Sequence, residues 1–274
     1  MAKEGKVMPS VSELLSLRGR TALITGGAGH IGSVMANALA ELGCRIALVD
    51  LSAEDTQKTA DAISHRYDVE TLALAFDLAD TSTLQACPAQ VAGELQGLDI
   101  IIHCAAFVGT TALEGWCVPF PQQSLETWRA CFEVNLTSAM ALVQSAAPFL
   151  KKSGHGSIIT VGSIYEHLGP DLRLYEGTSM GNPAAYAASK GGLMQLTRWL
   201  STVLAPDVRV NSISPGGVWR SQPEIFVERY CSRTPLQRMA REDDFIGAAV
   251  YLASDLSAYV TGQHIAVDGG FSVW

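Results

Sequence analysis

The chain has 274 residues, 48% of them hydrophobic and only 17% charged, a balance that supports a large buried core and excludes an intrinsically disordered protein. Its 19 basic and 27 acidic side chains leave a net charge of −8, so nucleic acid is not an expected partner and any phosphate must be recognised locally. The first twenty residues carry charges but no continuous apolar stretch, and no apolar run approaches membrane length, so neither a signal peptide nor a membrane span is expected.

Residues 1–16 read as a peripheral arm and 17–274 as a single domain. Seven short aliphatic or β-branched runs are predicted as strands: Thr21–Thr25, Arg45–Asp50, 71–76, 99–103, 157–161, 208–213 and His264–Val267. Most are apolar throughout, as strands are when helices cover both faces of their sheet. Helical patterns separate them, among them 31–42, 125–150, 184–204 and 243–254. This alternation predicts a doubly wound α/β fold, a seven-stranded parallel sheet with helices on both faces. Three connections, 107–123, 164–183 and 215–241, are longer than a tight turn and all follow predicted strands. Ligands of open α/β sheets bind outside the carboxyl ends of the strands, where such loops form the walls.

The first strand runs into Thr25-Gly26-Gly27-Ala28-Gly29-His30-Ile31-Gly32, and a helix follows. Glycine lets the backbone approach a pyrophosphate, and the helix start offers free N–H groups and a positive dipole end. Asp50 ends the second strand, 50 − 32 = 18 residues beyond Gly32, close to the usual interval to an acid that binds the adenosine ribose. Leu51, Ser52 and Ala53 follow it, with no Arg or Lys to hold a 2′-phosphate. NAD is therefore the expected cofactor, in preference to NADP.

Farther on, Tyr186 and Lys190 stand one turn apart at the start of a predicted helix. An ammonium beside a phenol favours its phenolate, so Lys190 is expected to lower the Tyr186 pKa. Asp77 after the third strand, Asn135 in Val-Asn-Leu, Ser163 after the fifth strand, Pro215-Gly216 and a terminal Val267-Asp268-Gly269-Gly270 complete an ordered series. Together with the glycine turn, the series resembles the short-chain dehydrogenase/reductase family in its compact single-domain, Rossmann-type form, from about residue 17 onward.

The resemblance implies a catalytic set of Asn135, Ser163, Tyr186 and Lys190. Tyr186 would be the general acid/base and Ser163 would orient the reacting oxygen. Lys190 would bind the nicotinamide ribose, and Asn135 would hold a water of a proton relay. The implied cofactor site comprises Gly26, Gly29, His30, Ile31, Gly32, Asp50, Asp77, Leu78, Ala105, Tyr186, Lys190, Pro215, Gly216 and Val218. Substrate contacts are expected from Ser163, Tyr165, Tyr186 and Arg220. Relatives also imply a homo-oligomer, a dimer or tetramer, through the helices carrying Leu125 and Tyr186 and the C-terminal aromatic end.

The chain departs from the family pattern at several points. His30 stands where a glycine is usual, with Gly29 before it. His103-Cys104-Ala105-Ala106 replaces Asn-Asn-Ala-Gly, which puts the usual tethering of the central strand in question. Arg220 replaces a threonine and is a candidate contact for an anionic substrate. Residues 171–182 form an insertion between Ser163 and Tyr186, expected to wall the pocket; its style is similar to members associated with bacterial surface-sugar or flagellin-glycan pathways. The six cysteines (44, 87, 104, 117, 131 and 231) include no CxxC pair, so reduced thiols and a cytoplasmic protein are expected. Cys104 reads as a buried structural thiol. The six histidines form no sequence cluster, and no metal is expected. The expected activity is oxidation of a secondary alcohol to a ketone, or the reverse, on a polar, carbohydrate-like substrate. A sugar-nucleotide epimerase or dehydratase that retains its NAD, and a non-catalytic NAD-binding scaffold, are the alternatives; short length and an intact catalytic set argue against them.

Overall fold

Seven strands form one parallel sheet in the computed structural model, which describes residues 8–108 and 113–274. They are β1 Thr21–Thr25, β2 Arg45–Asp50, β3 Thr71–Ala75, β4 Ile100–His103, β5 Gly156–Val161, β6 Val208–Pro215 and β7 His264–Val267. Their order is β3-β2-β1-β4-β5-β6-β7. The chain winds outward from β1 to β3, then crosses back to place β4 on the other side of β1. That reversal between β1 and β4 opens a crevice at their carboxyl ends.

Alternation of side chains across the sheet explains why the strands are apolar throughout. Ile24, Ile46, Leu48, Ile100, Ile102 and Ile213 face one layer, where they meet Met35 and Leu39 of α2 (His30–Glu41), Ile63 of α3 (Ala53–Tyr67) and Leu252 of α9 (Ile246–Ala253). Leu23, Ala47, Val49, Ile101, Ile158 and Val210 face the other. There they meet Leu84 and Val91 of α4 (Thr81–Glu94), Leu142 and Ala146 of α6 (Ser138–Ser153), and Leu200 of α7 (Ala184–Val203). Burying each such Leu or Ile contributes about 1.5–3 kcal/mol.

The arm contains one capped turn, α1 (Val11–Leu15), opened by a reciprocal Ser10–Glu13 capping box, and Leu17 then enters the core. Its first seven residues lie outside the described ones, as do 109–112 of the 107–123 connection. The helical stretch expected over 125–150 is not one regular helix. It comprises α5 (Leu125–Phe132), a π-helical turn over Glu133–Thr137, and α6. A π turn makes i→i+5 bonds, and here the Ser138 N–H reaches back to the Glu133 carbonyl. Similarly, the stretch expected over 243–254 opens as a 3₁₀ turn, Glu242–Phe245, before α9.

The 171–182 insertion folds onto α8 (Glu224–Arg233). Tyr175, Phe226, Tyr230 and Phe271 form a run of rings with centroids 5.4, 6.0 and 4.6 Å apart. Asp171 pairs with Arg233, and Arg229 donates to the Glu176 carbonyl at 2.6 Å. Among the described residues, no helix is long and apolar enough to cross a membrane.

Candidate active site

A cleft of about 940 Å³ lies at the carboxyl ends of the strands. At its β1 end the glycine turn passes under Ala105. Gly26 has φ +66°, and a Cβ there would stand 2.8 Å from the Ala105 backbone. Only glycine meets both conditions. Gly29 caps α2 and His30 begins it, so the unbonded N–H groups of the first helical turn border the cleft beside Ile31 and Gly32. The glycine turn therefore closes with its middle glycine shifted by one position. Asp50 lines the cleft from β2, and its two oxygens accept from Ala28 N at 3.0 Å and Leu51 N at 2.8 Å. Asp77 and Leu78 line the same end, with Asp77 Oδ1 capping Ala79 N at 2.9 Å.

His103 supplies the tether that the missing asparagine put in question. It is buried at the end of β4, its Nδ1 3.1 Å from Thr25 Oγ1 and its Nε2 3.5 Å from Ser138 Oγ. Ser138 Oγ gives its proton to the Val134 carbonyl at 2.6 Å, so it accepts from His103 Nε2–H. Nδ1 is then the acceptor for the Thr25 hydroxyl, whose oxygen in turn accepts Ala105 N–H at 3.2 Å. One directed chain thus runs from Ala105 through Thr25, His103 and Ser138 to Val134, and it requires the neutral Nε2–H tautomer. Burial, with the Lys190 charge adding to it, pulls the His103 pKa down to about 3, which keeps the ring neutral.

Ser163 follows β5, and Tyr186 and Lys190 stand on the first turns of α7; all three line the cleft. The Ser163 and Tyr186 side chains both border this part of the cleft, and Lys190 Nζ lies 5.8 Å from the centroid of the Tyr186 ring. Lys190 is 2% exposed, and its Nζ donates to the Val161 carbonyl at 2.7 Å. Desolvation pulls its pKa down to about 8. The expected lowering of the Tyr186 pKa is not found. Burial pushes the phenol up to about 12, with Ser163 acting in the opposite direction, because a charge that is itself desolvated and turned to a carbonyl does little to favour the phenolate.

Asn135 is fully buried in the π turn, behind the cleft wall made by Glu133 and Val134. Its Oδ1 accepts Phe107 N at 2.5 Å and its Nδ2 donates to Ser189 Oγ at 2.9 Å. It therefore braces the loop after β4 against α7.

Pro215, Gly216 and Val218 line the cleft beyond β6. Arg220 also reaches the lining, but its guanidinium is paired with Glu242 at 2.6 Å. The same Glu242 oxygen lies 3.9 Å from His30 Nδ1. Two departures from the family pattern thus meet at one carboxylate at the mouth of the cleft. Tyr165 is not among the lining residues; its hydroxyl is bonded to that of Tyr175 at 2.7 Å. From the insertion, Met180 lines the cleft while much of the rest packs on α8. Cys104, expected to be a buried structural thiol, is half-buried and lines the cleft, and burial pushes its thiol up to about 12, which disfavours the reactive thiolate. The histidines, scattered in sequence, are not all scattered in space: His167 and His264 meet at Glu166. Glu242 belongs to no motif and Glu166 only to the Ser163–Glu166 capping box, so the folded chain alone reveals their other partners.

A sequence family described as enoyl-(acyl carrier protein) reductase matches residues 26–272. The chain is 31% identical over 274 residues to a probable galactose dehydrogenase of Rhizobium meliloti, covering 96% of this chain and 98% of that protein. A short-chain type dehydrogenase/reductase from Mycobacterium marinum superposes with a TM-score of 0.83 at 30% identity, over 96% of this chain and 99% of that one. A gluconate 5-dehydrogenase from Burkholderia cenocepacia, solved with NADP and tartrate, gives 0.85 at 27% identity, over 97% and 100%.

Proposed function

The chain belongs to the short-chain dehydrogenase/reductase family, oxidoreductases that act on CH–OH groups, and on that footing we propose an NAD-dependent dehydrogenase that interconverts a secondary alcohol and a ketone on a polyol- or sugar-like substrate. The observation that carries this reading is the gathering of Ser163, Tyr186 and Lys190 in the cleft that begins at the glycine turn, with Lys190 Nζ 5.8 Å from the Tyr186 ring centroid. Galactose and gluconate dehydrogenases among the relatives support the substrate class.

The residues fit a dinucleotide. Gly26, Gly29 and Gly32 present side-chain-free backbone to the cleft, the first turn of α2 supplies N–H donors, and Asp50 stands where the adenosine ribose hydroxyls would bind. When bound, the nicotinamide ring accepts or gives the hydride. Tyr186 Oη exchanges a proton with the substrate oxygen, and Ser163 Oγ holds that oxygen by a hydrogen bond. Lys190 holds the ribose and supplies positive charge beneath the phenol. Asn135 keeps the Phe107 backbone and Ser189 in register, so the cleft wall and α7 keep their spacing.

The NADP-bound relative leaves cofactor choice to this chain's own residues. A carboxylate at Asp50, with no base at Leu51, Ser52 or Ala53, favours NAD by repelling a 2′-phosphate. Exposed Trp199 and Val203 on α7, Leu125 on α5 and the terminal Trp274, 71% exposed, favour a homo-oligomer, most simply a tetramer. The free thiols fit a cytoplasmic protein. A screen of polyols, sugars and sugar acids with NAD, following absorbance of the reduced cofactor, tests the activity. Turnover confined to acyl thioesters, or none across the panel, would overturn the substrate class.

A further inference from the structure

Glu166 lies on the short 3₁₀ turn after Ser163, and its side chain is 0% exposed. Gly162 allows this: any Cβ at that position would overlap the Glu166 carboxylate. One oxygen accepts the Ser163 N–H at 3.4 Å, and the other is bonded to the Ser214 hydroxyl. Two imidazoles gather at the same carboxylate. His167 comes from the same turn, and His264 from the edge strand β7, with ring centroids 5.1 Å apart. His167 Nδ1 is 4.0 Å from Glu166 Oε1, and one ligand atom from each of the three residues lies within 4.8 Å of the other two. None of the three lines the cofactor cleft.

We propose that Glu166, His167 and His264 form a site for a divalent transition-metal ion, with Zn²⁺ as the best-matched occupant. Two imidazoles and one carboxylate are a common zinc ligand set that leaves a fourth position open to water. Zinc–ligand distances near 2.1 Å place tetrahedral ligand atoms about 3.4 Å apart. The three groups must therefore close by at most about 1.4 Å, within reach of a side-chain rotation. Both histidine residues are exposed and free to make that movement, whereas the carboxylate is held. A carboxylate has about four lone-pair sites, and Ser163 and Ser214 occupy two, so a coordination site remains. The nitrogen-rich set disfavours Mg²⁺ and Ca²⁺, which take oxygen ligands. An ion held here would share its carboxylate with the backbone of the catalytic serine, behind the cleft rather than in it.

The experiment is calorimetric titration of the chelator-treated protein with ZnCl₂ and CoCl₂, alongside His167→Ala and His264→Ala. One ion per chain is expected, with affinity falling in each variant by at least about tenfold, the lower bound even for outer-shell partners of a metal site. MgCl₂ at the same concentration should give no binding heat, and circular dichroism checks that both variants remain folded. Absence of saturable Zn²⁺ binding would overturn the site, as would equal affinity in wild type and both variants. The Co²⁺ spectrum separates histidine from thiol binding: an intense thiolate charge-transfer band would place the ion on a cysteine and refute the assignment. None of these outcomes depends on the enzyme's substrate.

Discussion

Lys190 is fastened to Val161: its ammonium donates to that carbonyl at 2.7 Å, two residues before Ser163. The bond pins the first turns of α7 to the end of β5 and thereby sets the distance between the Tyr186 and Ser163 hydroxyls. It also bears on the resting charges, since Lys190 is cut off from bulk water and Tyr186 is half-buried at the cleft. With Lys190 drawn down to about 8 and Tyr186 pushed up to about 12, the protein at neutral pH holds a protonated phenol. That form is ready to donate a proton to a ketone and must lose one before it can oxidise an alcohol.

The pH dependence should therefore differ between directions. For oxidation, kcat/KM for the cofactor, which reports the unliganded enzyme, should rise from pH 7 to about 8 with the phenolate fraction and level above that, where loss of the Lys190 proton offsets the growing phenolate. For reduction it should stay flat to about pH 8 and then fall as Lys190 loses its proton. An oxidation profile already level below pH 8 would contradict a phenol held this high.

Removing the phenolic hydroxyl isolates the chemical step. Tyr186→Phe should bind NAD normally by fluorescence titration yet lose at least about a hundredfold in kcat, the lower end of what general acid–base groups contribute. Ser163→Ala should lose nearly as much, since the same oxygen loses its alignment. Near-normal turnover by Tyr186→Phe would refute the assignment while leaving fold and cofactor site intact.

Cofactor choice should follow Asp50. The wild type is expected to prefer NAD over NADP by at least about tenfold in kcat/KM, equivalent to about 1.4 kcal/mol. Asp50→Ser should narrow that gap by improving NADP use. It should also weaken NAD binding, because the carboxylate buttresses Ala28 N in the glycine turn. Equal use of both cofactors by the wild type would discard this reading.

Stability should carry the signature of a neutral buried histidine. His103→Ala breaks the chain between Thr25 and Ser138 and leaves a cavity, and should cost about 2–4 kcal/mol. His103→Asn keeps hydrogen-bonding capacity and should cost less. The folded ring titrates at about 3, below the ordinary histidine value of about 6.5. The unfolded state thus takes up a proton that the folded state refuses. The histidine's stabilising contribution is full above pH 6.5 and is lost as pH falls from there toward 3, by at most about 1.4 kcal/mol per unit. The difference in Tm between wild type and His103→Asn should shrink over that window, and a constant difference would mean that His103 is not held neutral.

The five inner strands were legible because they are buried on both faces, and an unbroken apolar run such as Ile100, Ile101 and Ile102 cannot be mistaken for a half-exposed one; the edge strands β3 and β7 are only partly covered. Their ends shifted by a residue or two: β6 continues to Pro215, whose missing N–H matters little at a strand terminus. The π turn at Asn135 was not legible, since a change of one residue in hydrogen-bond register alters backbone pairing and leaves the apolar pattern nearly untouched. Local motifs placed most of the cleft, from the glycine turn to Val218. Spacing could not reveal how far the surrounding protein desolvates the half-buried Tyr186, and so its acidity moved opposite to expectation. Nor could it show that Glu242 receives Arg220, 22 residues before it, or that His167 meets His264 across the end of the sheet.

The Arg220–Glu242 pair, with His30 beside it, has a bearing on traffic through the cleft. Glycine and alanine backbone, sheet and helix form its floor, and none of these responds to dissolved ions. Its rim is fastened by opposite charges that are about one-third exposed, and such attraction fades as the Debye length contracts from about 10 Å at 0.1 M salt to about 3 Å at 1 M. Ionic strength should thus govern how fast the cleft exchanges its contents while leaving the proton and hydride steps alone. A protein limited by product departure would then turn over faster in brine than in dilute buffer, and Glu242→Gln would turn over fast in both.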